Sequence, residues 1–303
     1  MKNLIIDGGN LLHRTYHASK GKGYVNDEGK DFSHIVLFLK NIKHLKDMFG
    51  SDRVFIAWDI RNKDFINFRQ ETGDYKDHRD RTENEDVHKF DKILWVLTES
   101  LGITNIRAEK LEGDDIIYFI VRKYNDSENV VVSNDNDFLQ LFHNYENIKI
   151  YNPNKDVLIT ESNSKQYNGG VDNDKFVFYK AIMGDPSDNI KGLHMYGPVK
   201  SKKFVENLKD NFVKLSSEEK ELLKHNLKMI NLKNGLEIYP DEEEYYESQD
   251  IQPEPSMSKF FDIIDKLGIK NYMGYRSDWT DHFGKNKSNI IEGLQNILKS
   301  INN

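Results

Sequence analysis

Short apolar runs alternate with amphipathic stretches along the first two thirds of the chain. Residues 2–6 and 53–58 are apolar runs of the length and composition typical of central strands in a parallel sheet. Between them, apolar residues recur at helical spacing and predict a helix over 32–49. The same reasoning predicts helices over 86–101, 113–124 and 135–143, and a strand over 129–133. The alternation predicts an α/β fold with a mostly parallel central sheet flanked by helices.

The pattern changes after about residue 190. Gly192, Gly197 and Pro198 predict a turn, and periodic apolar positions then predict helices over 200–208, 216–232, 258–268 and 289–300. Residues 240–255 are acidic, contain three prolines and predict a loop or linker. We therefore expect an α/β domain over residues 1–190 and a helical C-terminal region over 191–303.

Residues 61–82 interrupt the alternation with a dense mixture of bases, acids and aromatic residues. The segment has few large apolar side chains to bury, so we expect a mobile, solvent-exposed arch over the edge of the sheet. A solvated loop or a charged surface helix is the alternative interpretation. Its position directly after Asp59 favours a functional role.

Bulk composition narrows the function classes. The chain has 303 residues, 37% of them hydrophobic, and a net charge of −7. It contains no cysteine, which excludes disulfides and thiolate metal sites. No apolar stretch approaches the roughly 20 residues of a membrane span, and the N-terminus has the pattern of a buried strand rather than of a signal peptide. A soluble cytoplasmic protein is expected.

Nine carboxylates fall in five short clusters, each where a strand should end or a turn begin. They are Asp7; Asp59; Glu112, Asp114 and Asp115; Asp135 and Asp137; and Asp185 and Asp188. Strand ends along one edge of a parallel sheet are where α/β folds place their sites. So many negative charges repel one another strongly unless cations lie between them. Oxygen ligands suit hard divalent ions, so the pattern predicts a site for more than one metal ion.

Each cluster, taken alone, also has an ordinary structural explanation. Glu112, Asp114 and Asp115 stand where acids offset a helix dipole. Asp135 has the position of a helix N-cap, and Asp7 opens an Asp-Gly-Gly-Asn stretch that forms turns readily. The coincidence of all five clusters at the same predicted edge favours the metal site.

Six motifs carry a resemblance to a known family. They are IDGGN at 6–10, AWD at 57–59, DYKDHR at 74–79, EGDD at 112–115, SNDND at 133–137 and GDPSDNIKG at 184–192. Over residues 1–200 the chain resembles the flap endonuclease or 5′-nuclease superfamily, most closely the RNase H and 5′-exonuclease of bacteriophages. The last 100 residues resemble that family only in their helical character.

The resemblance implies a Mg²⁺-dependent 5′-to-3′ exonuclease and flap endonuclease, with two metal ions for which Mn²⁺ can substitute. Its substrates would be DNA and RNA–DNA hybrids, and its role the removal of RNA primers during phage replication. One ion would be held by Asp7, Asp59, Glu112 and Asp114. The other would be held by Asp135, Asp137, Asp185 and Asp188, with Asp115 as an outer or shared ligand.

Basic residues complete the implied site. Lys76 and Arg79 match the basic pair beside the scissile phosphate, and their spacing would place them on one face of a helix. Tyr75 would either stack on a base or anchor the arch. Arg69 and Arg81 would meet backbone phosphates.

Residues 190–203 resemble a helix–hairpin–helix element, which grips duplex DNA and often binds a monovalent cation. Met195 stands where the first glycine is usual, and Val199 where a lysine is common. This departure weakens the expectation of a bound monovalent ion. Lys200, Lys202 and Lys203 remain candidates for non-specific phosphate contacts.

Other functions stay open at this point. A catalytically weak, structure-specific DNA-binding protein descended from a nuclease is the non-enzymatic alternative. A toxin-type ribonuclease is usually much shorter, and an aspartyl-phosphate phosphatase needs a second Asp two residues after Asp7, where Gly9 stands. The expected partners are branched or nicked DNA, 5′-flaps and hybrids, together with a single-strand-binding protein or sliding clamp. A monomer in the bacterial host cytoplasm is expected.

Overall fold

The computed structural model describes residues 1–59, 67–72, 75–76, 84–242 and 253–284. Within them, a mostly parallel central sheet is flanked by helices and followed by a helical C-terminal region, so the predicted fold class is confirmed. No helix in these ranges is both long enough and apolar enough to cross a membrane.

The strands and helices have the following bounds. The strands are β1 (Lys2–Asp7), β2 (Arg53–Ala57), β3 (Thr104–Ile106), β4 (Glu128–Val132), β5 (Ile148–Asn152), β6 (Val157–Ile159), β7 (Gly184–Asp185) and β8 (Ile190–Lys191). The first α-helices are α1 (Gly8–Ser19), α2 (Ser33–Phe49), α3 (Asn84–Val87), α4 (Asp91–Ser100), α5 (Gly113–Lys123) and α6 (Phe176–Met183). The later ones are α7 (Pro198–Glu206), α8 (Leu208–Lys214), α9 (Ser217–Ile230), α10 (Lys233–Ile238), α11 (Met257–Leu267), α12 (Lys270–Met273) and α13 (Arg276–Phe283).

The chain forms two compact units that do not follow its order. The first comprises residues 1–56, 82–106 and 250–303, and the second comprises 57–81 and 107–249. The predicted domains, residues 1–190 and 191–303, divide the chain differently from these two units. That division stays a prediction.

The first unit is built on β1, whose interior side chains Leu4, Ile5 and Ile6 are fully buried. Helix α2 packs its apolar face, including Phe38, against this strand. The C-terminal helices join the same unit, because α11 packs on α4 and the Ser256 N–H donates to the Ser100 carbonyl at 2.8 Å. Residues far apart in the chain therefore share one apolar core.

The second unit contains β4, β5 and β6. Strand β4 pairs with β5 in parallel, with Val131 opposite Ile150, and β5 pairs with β6 in antiparallel. Helix α6 packs against α9, and α5 packs against α10. These pairings bring the N-terminus of α5 and the C-terminus of α6 into the same unit, and both carry predicted site residues.

Several predicted elements are confirmed within two or three residues. Helix α2 covers nearly the whole predicted span, and β1, β2, β4, α5 and α9 lie where the apolar pattern places them. The predicted helix over 86–101 is instead two helices, because residues 88–90 form a turn in which the His88 Nδ1 lies 2.6 Å from Asp91 Oδ2. Helix α1 was not predicted, since Asp7 caps it rather than opening a turn. The predicted helix over 289–300 lies outside the described residues.

The expectation of an exposed segment over 61–82 is wrong for four of the residues that the structure describes there, whereas Gln70 and Glu71 are exposed. Asn67, Phe68 and Arg69 are buried, and so is Tyr75. The apolar pattern missed this because it counts only apolar side chains. A buried arginine and a buried tyrosine reach the interior through ion pairs and hydrogen bonds instead.

The hairpin before α7 has an unusual backbone at Met195. This residue adopts a φ of 65°, in the left-handed region, and its side chain is 68% exposed. Residues with a Cβ pay roughly 1–2 kcal/mol for this conformation. In the resembled family this position is usually glycine. Met195 thus adopts the backbone conformation that favours glycine, although it carries a side chain.

Met195→Gly should leave the free energy of unfolding unchanged or raise it by about 1 kcal/mol, because relief of left-handed strain outweighs the greater freedom of the unfolded chain. Val199→Gly is the matched control, since Val199 is 70% exposed but lies within α7. It should lower the same free energy by about 0.5–1 kcal/mol. Urea unfolding of both variants measures the difference. Equal losses would contradict the strained turn.

Candidate active site

All the predicted metal acids except Asp7 lie in the second unit. Asp7 lies in the first unit, at the end of β1, where its Oδ1 accepts a hydrogen bond from the Asn10 N–H at 2.8 Å. The others come from the segment after β2, the start of α5, the turn after β4 and the β7–β8 hairpin. Most of the predicted acids therefore lie, as expected, where a strand ends or a helix or turn begins.

The Asp59 side chain contacts the first turn of α5 at Gly113. The Gly113 N–H donates to Asp59 Oδ1 at 2.7 Å. A Cβ at Gly113 would lie 3.3 Å from the same oxygen, closer than most such contacts. Glycine at this position lets the carboxylate reach the helix N-terminus, where backbone N–H groups favour negative charge.

A first cluster, here the Glu112 cluster, consists of Tyr75, Lys76, Glu112 and Asp188. The Tyr75 hydroxyl lies 3.0 Å from Glu112 Oε2 and 3.1 Å from Asp188 Oδ2. Lys76 Nζ lies 3.2 Å from Glu112 Oε1 and 4.0 Å from Asp188 Oδ2. One hydroxyl proton and one ammonium thus lie between two carboxylates that are 76 positions apart in the sequence.

The charges of this cluster favour an ionised Glu112. Burial by itself would raise the pKa of Glu112, but Lys76 and Arg69 outweigh it and lower that pKa. Burial raises the pKa of Tyr75 far above its ordinary value, and the charges of Glu112 and Asp188 add to the effect. Tyr75 is therefore a hydrogen-bond donor at every physiological pH. Lys76 has a φ of 54° and lies in a turn, so the helical face predicted for it is absent at this residue.

Arg69 and Asp115 form a buried ion pair next to this cluster. The guanidinium contacts both oxygens of Asp115 at 2.7 Å and lies 3.5 Å from Glu112 Oε2. Arg69 is only 2% exposed and Asp115 is fully buried. Burial by itself would lower the pKa of Arg69, but Asp115 raises it, so the guanidinium stays charged. The structure thus places Arg69 in the interior instead of on a DNA-facing surface, and gives Asp115 an arginine partner.

A second cluster, here the Lys180 cluster, consists of Asp137, Lys180 and Asp185. Lys180 projects from α6 and donates to Asp137 Oδ1 and, at 2.7 Å, to Asp185 Oδ2. Asp137 lies in the 3₁₀-helix Asn136–His143, whose N-cap is Asp135. Asp135 in turn accepts a hydrogen bond from the Asp137 N–H at 2.7 Å.

Lys180 influences the ionisation of both aspartates in this cluster. Burial raises the pKa of Asp137 to about 6, with Lys180 opposing the rise and Asp135 adding to it. Burial opposes charge on Lys180 as well, but the two aspartates outweigh burial and raise its pKa. The pKa of Asp185 is lowered, because Lys180 and Ser187 outweigh its burial. The cluster is therefore a dense negative site with one internal counter-charge.

Two glycines make the turn that carries Asp185 and Asp188. Gly184 has a φ of 78°, and a Cβ there would lie 2.3 Å from the Gly192 N. A Cβ on Gly192 would lie 2.1 Å from the Met183 carbonyl oxygen. Only glycine fits either position, so β7 and β8 close tightly around the two aspartates.

The donor chemistry of these residues fits a hard divalent cation. Every candidate ligand is a carboxylate, and Mg²⁺ prefers oxygen ligands while keeping several waters. Among the described residues, no three acids or histidines are arranged to hold an ion as they stand. Lys76, Lys180 and Arg69 supply positive charge to the acids in this arrangement.

Sequence reasoning missed Lys180 altogether. Its signal was available, because a single lysine stands in the otherwise apolar helix FVFYKAIM. Of the proposed nucleic-acid contacts, Tyr75 is buried at the acids, whereas Lys200 and Lys203 are exposed on α7. Arg79 and Arg81 lie outside the described residues.

The chain is similar to several known proteins. Residues 2–169 match the family model described as 5′-3′ exonuclease, N-terminal resolvase-like domain. A 5′-3′ exonuclease of Mycoplasmopsis pulmonis is 31% identical over 211 residues, which is 69% of this chain and 67% of that protein. The 5′-exonuclease of bacteriophage T5, in a structure with bound zinc, has a TM-score of 0.65 at 19% identity and covers 91% of this chain and 100% of its own. A pseudo-enzyme–product complex of the bacteriophage T5 flap endonuclease with DNA and metal ions has a TM-score of 0.66 at 17% identity, over 88% of this chain and 99% of that one.

Gly184→Ala should abolish the tight β7–β8 hairpin, because the new methyl group would overlap the Gly192 backbone. We expect a loss of several kcal/mol in the free energy of unfolding, or failure to fold. Gly197→Ala is the control: a methyl group added there would have no neighbouring atom within 4 Å, and the variant should lose less than about 1 kcal/mol. Thermal unfolding distinguishes them, and equal Tm values would contradict the hairpin.

We expect the wild-type protein to lose stability as the pH rises from 4 to 6, and we expect Asp137→Asn to remove this loss. The unfolded carboxyl titrates near its ordinary pKa of 3.8 and the folded one near about 6, so the folded protein retains the extra proton in this window. Wild-type stability from this group is therefore lost as the pH rises. The free energy of unfolding of the variant relative to the wild type should increase by about 1–3 kcal/mol across the window.

Urea unfolding in EDTA at pH 4, 5, 6 and 7 measures this difference. Asp172→Asn is the control, because the pKa of that exposed carboxyl is lowered by Lys165 and Lys175. Its difference from the wild type should not increase across the window. A flat difference for Asp137→Asn would show that this carboxyl titrates normally.

Proposed function

Because this chain belongs to the 5′-3′ exonuclease family, we propose that it is a 5′-to-3′ exonuclease and structure-specific flap endonuclease. Its substrates are DNA and RNA–DNA hybrids, and it requires Mg²⁺, which Mn²⁺ can replace. Its role is the removal of RNA primers during phage replication. The relationship to the family supports the nuclease class, and the chemistry of the acids supports the metal requirement.

One observation carries the proposal. Glu112 and Asp188 converge on the Tyr75 hydroxyl and the Lys76 ammonium, although these residues come from three separate motifs. A structural ion pair needs one acid and one base. Here two acids share two donors beside further carboxylates, an arrangement typical of sites that bind cations and phosphates.

The proposed ligands form two sets. Asp7, Asp59, Glu112 and Asp114 hold one ion, and Asp135, Asp137, Asp185 and Asp188 hold the other. Bound divalent ions would activate a water and stabilise negative charge on the phosphate. Asp115 is the weakest candidate among the nine acids, because both of its oxygens contact Arg69.

The chain's own bases have distinct proposed roles. Lys76 Nζ supplies positive charge where the phosphate becomes more negative during hydrolysis. The Tyr75 hydroxyl donates to Glu112 or Asp188 and orients the chosen carboxylate. Lys180 neutralises the acids of its cluster and keeps Asp137 and Asp185 close together. We propose Arg79 as the second phosphate-binding base, as the family motif implies.

The DNA partners are proposed from the relatives and from the charged surface. The bacteriophage T5 flap endonuclease structure contains DNA and metal ions, which supports a flap substrate here. Lys200 and Lys203 are exposed on α7 and would contact duplex phosphates without reading sequence. Arg81 would contact backbone phosphates. We also propose a monomer with domains over 1–190 and 191–303, acting in the bacterial cytoplasm with a single-strand-binding protein or clamp.

Asp185→Asn should abolish cleavage of a 5′-labelled flap, a nicked duplex and an RNA–DNA hybrid in the presence of Mg²⁺.

Lys76→Ala should lower kcat about 10²–10³-fold with a smaller change in KM, because the lost ammonium group stabilises mainly the transition state. Asp172→Asn removes an equally negative but exposed carboxylate of the same unit and should leave cleavage unchanged. Product lengths on a denaturing gel measure all three.

The outcomes separate the parts of the proposal. If wild type with Mg²⁺ or Mn²⁺ cleaves none of the three substrates yet binds them, the protein is a structure-specific DNA-binding protein. Cleavage of DNA substrates without the hybrid would remove the primer-removal role. Cleavage that persists in EDTA would overturn the metal requirement.

A further inference from the structure

One short segment is connected to three of the acid-bearing segments of the second unit: the β7–β8 hairpin, the 3₁₀-helix that carries Asp137, and α5. It is the α9–α10 connection, here defined as residues 226–235, which covers the last turn of α9 and the start of α10. None of its side chains is a candidate ligand. Its contacts to the elements that carry the acids are buried, polar and specific.

Asn226 binds the last turn of α6 and the end of the hairpin that carries Asp185 and Asp188. Its Nδ2 donates to the Ala181 carbonyl at 2.8 Å and to the Lys191 carbonyl at 2.7 Å. The side chain is 1% exposed, and its Oδ1 has no partner among the described residues. A buried, unsatisfied oxygen opposes stability. Asn226 is therefore better explained by where it holds the hairpin than by its contribution to the core.

Gln140 binds the same connection to the helix that carries Asp137. Its Oε1 accepts the Leu232 N–H at 3.0 Å, and its Nε2 donates to the Ile230 carbonyl at 3.3 Å. Gln140 is 4% exposed and lies one turn beyond Asp137 in the same 3₁₀-helix. Both ends of the amide are used, so its orientation is set by the connection.

Arg69 provides the third attachment. Its Nε donates to the Met229 carbonyl at 2.9 Å, while its other nitrogens contact Asp115 at the start of α5. A Cβ at Gly235 would lie 2.5 Å from the Asp115 Cγ, so only a glycine lets the connection approach that carboxyl group. The Asp115 Oδ2 also accepts the Glu112 N–H at 3.1 Å, which links this attachment to the Glu112 backbone.

We propose that the α9–α10 connection is a positioning device that sets the spacing between the carboxylates of the active site. Asn226, Gln140 and Arg69 are positioning residues, because each acts on the acids through the backbone or through another side chain. The inference rests on the proposed metal-dependent function. It assigns to the helical region a role in ion binding besides any role in binding DNA.

Repulsion between the carboxylates makes their spacing depend on the backbone that carries them. Carboxylates brought close together move apart unless the backbone that carries them is fixed. The hairpin, the 3₁₀-helix and α5 are separate segments. The connection hydrogen-bonds directly to the hairpin at Lys191 and to the 3₁₀-helix at Gln140, and it reaches α5 through Arg69. Groups that orient metal ligands in this way typically change ion affinity by about 10–100-fold when removed.

The test compares Asn226→Ala with Asn168→Ala in the full chain. Asn168 is also 1% exposed, and its Nδ2 donates to a main-chain carbonyl, that of Val171, at 3.0 Å. Its side-chain partners lie in residues 170–173 and include no candidate ligand. Calorimetric titration with Mn²⁺ gives the dissociation constant without requiring catalysis, and urea unfolding in EDTA gives the stability of each variant.

Asn226→Ala should weaken Mn²⁺ binding by about 10-fold or more, whereas Asn168→Ala should bind Mn²⁺ as the wild type does even where it loses equal stability. Gln140→Met preserves side-chain size but removes both hydrogen bonds, and it should weaken binding similarly; it also serves if Asn226→Ala does not fold. The Mn²⁺ concentration for half-maximal flap cleavage should rise in parallel.

The results distinguish this inference from the proposed function. Wild-type Mn²⁺ affinity in folded Asn226→Ala and Gln140→Met would overturn the positioning role and leave the nuclease proposal intact. An equal loss of affinity in Asn168→Ala would also overturn it, because general destabilisation would then explain the effect. A wild-type protein that binds no Mn²⁺ and cleaves no substrate would instead refute the proposed function and, with it, the inference.

Discussion

Mutual repulsion of carboxylates is the constraint on which the second unit depends. Acids gathered from distant parts of the chain cannot stay close unless positive charge lies between them. In this arrangement Lys180 supplies that charge from α6, and Lys76 and Arg69 supply it from the connection between β2 and α3. Each base contacts two acids, and Glu112 lies near both Lys76 and Arg69, so the positive charges are shared among the acids. Burial makes the pairing essential, since an unpaired buried charge is far more unfavourable than an exposed one.

Glycine is required where the main chain approaches these acids or the turn that carries them. Backbone must approach a carboxylate closely at Gly113 and Gly235, and must close a tight hairpin at Gly184 and Gly192. A methyl group at Gly184, Gly192 or Gly235 would overlap neighbouring atoms at distances that cannot be relieved by a small side-chain shift. Glycine allows close approach to a carboxylate at Gly113 and Gly235, and close approach of two backbone segments at Gly184 and Gly192. Glycine is normally unfavourable inside helices and strands, and it occurs here at positions that the site requires.

Part of the helical region after residue 190 is bound directly to the elements that carry the acids. Through Asn226 and Met229 it binds both the hairpin and the buried arginine, and through Leu232 it binds the helix of Asp137. Within the second unit, the contacts therefore do not separate a metal-bearing part from a helical part. The unsatisfied Oδ1 of Asn226 fits a region in which position outweighs local stability.

The sequence by itself determined the fold class and most helix and strand positions, and it predicted the set of acids. Those features depend on local periodicity and on residue type, which are visible in a single chain. Only the tertiary structure decided that Arg69 and Tyr75 are buried at the acids, that Asp115 pairs with arginine, and that Lys180 joins Asp137 to Asp185. These contacts join residues distant in sequence, and no local pattern records which partner a buried charge will find. Periodicity places a side chain on a face, but packing of the whole unit selects its partner.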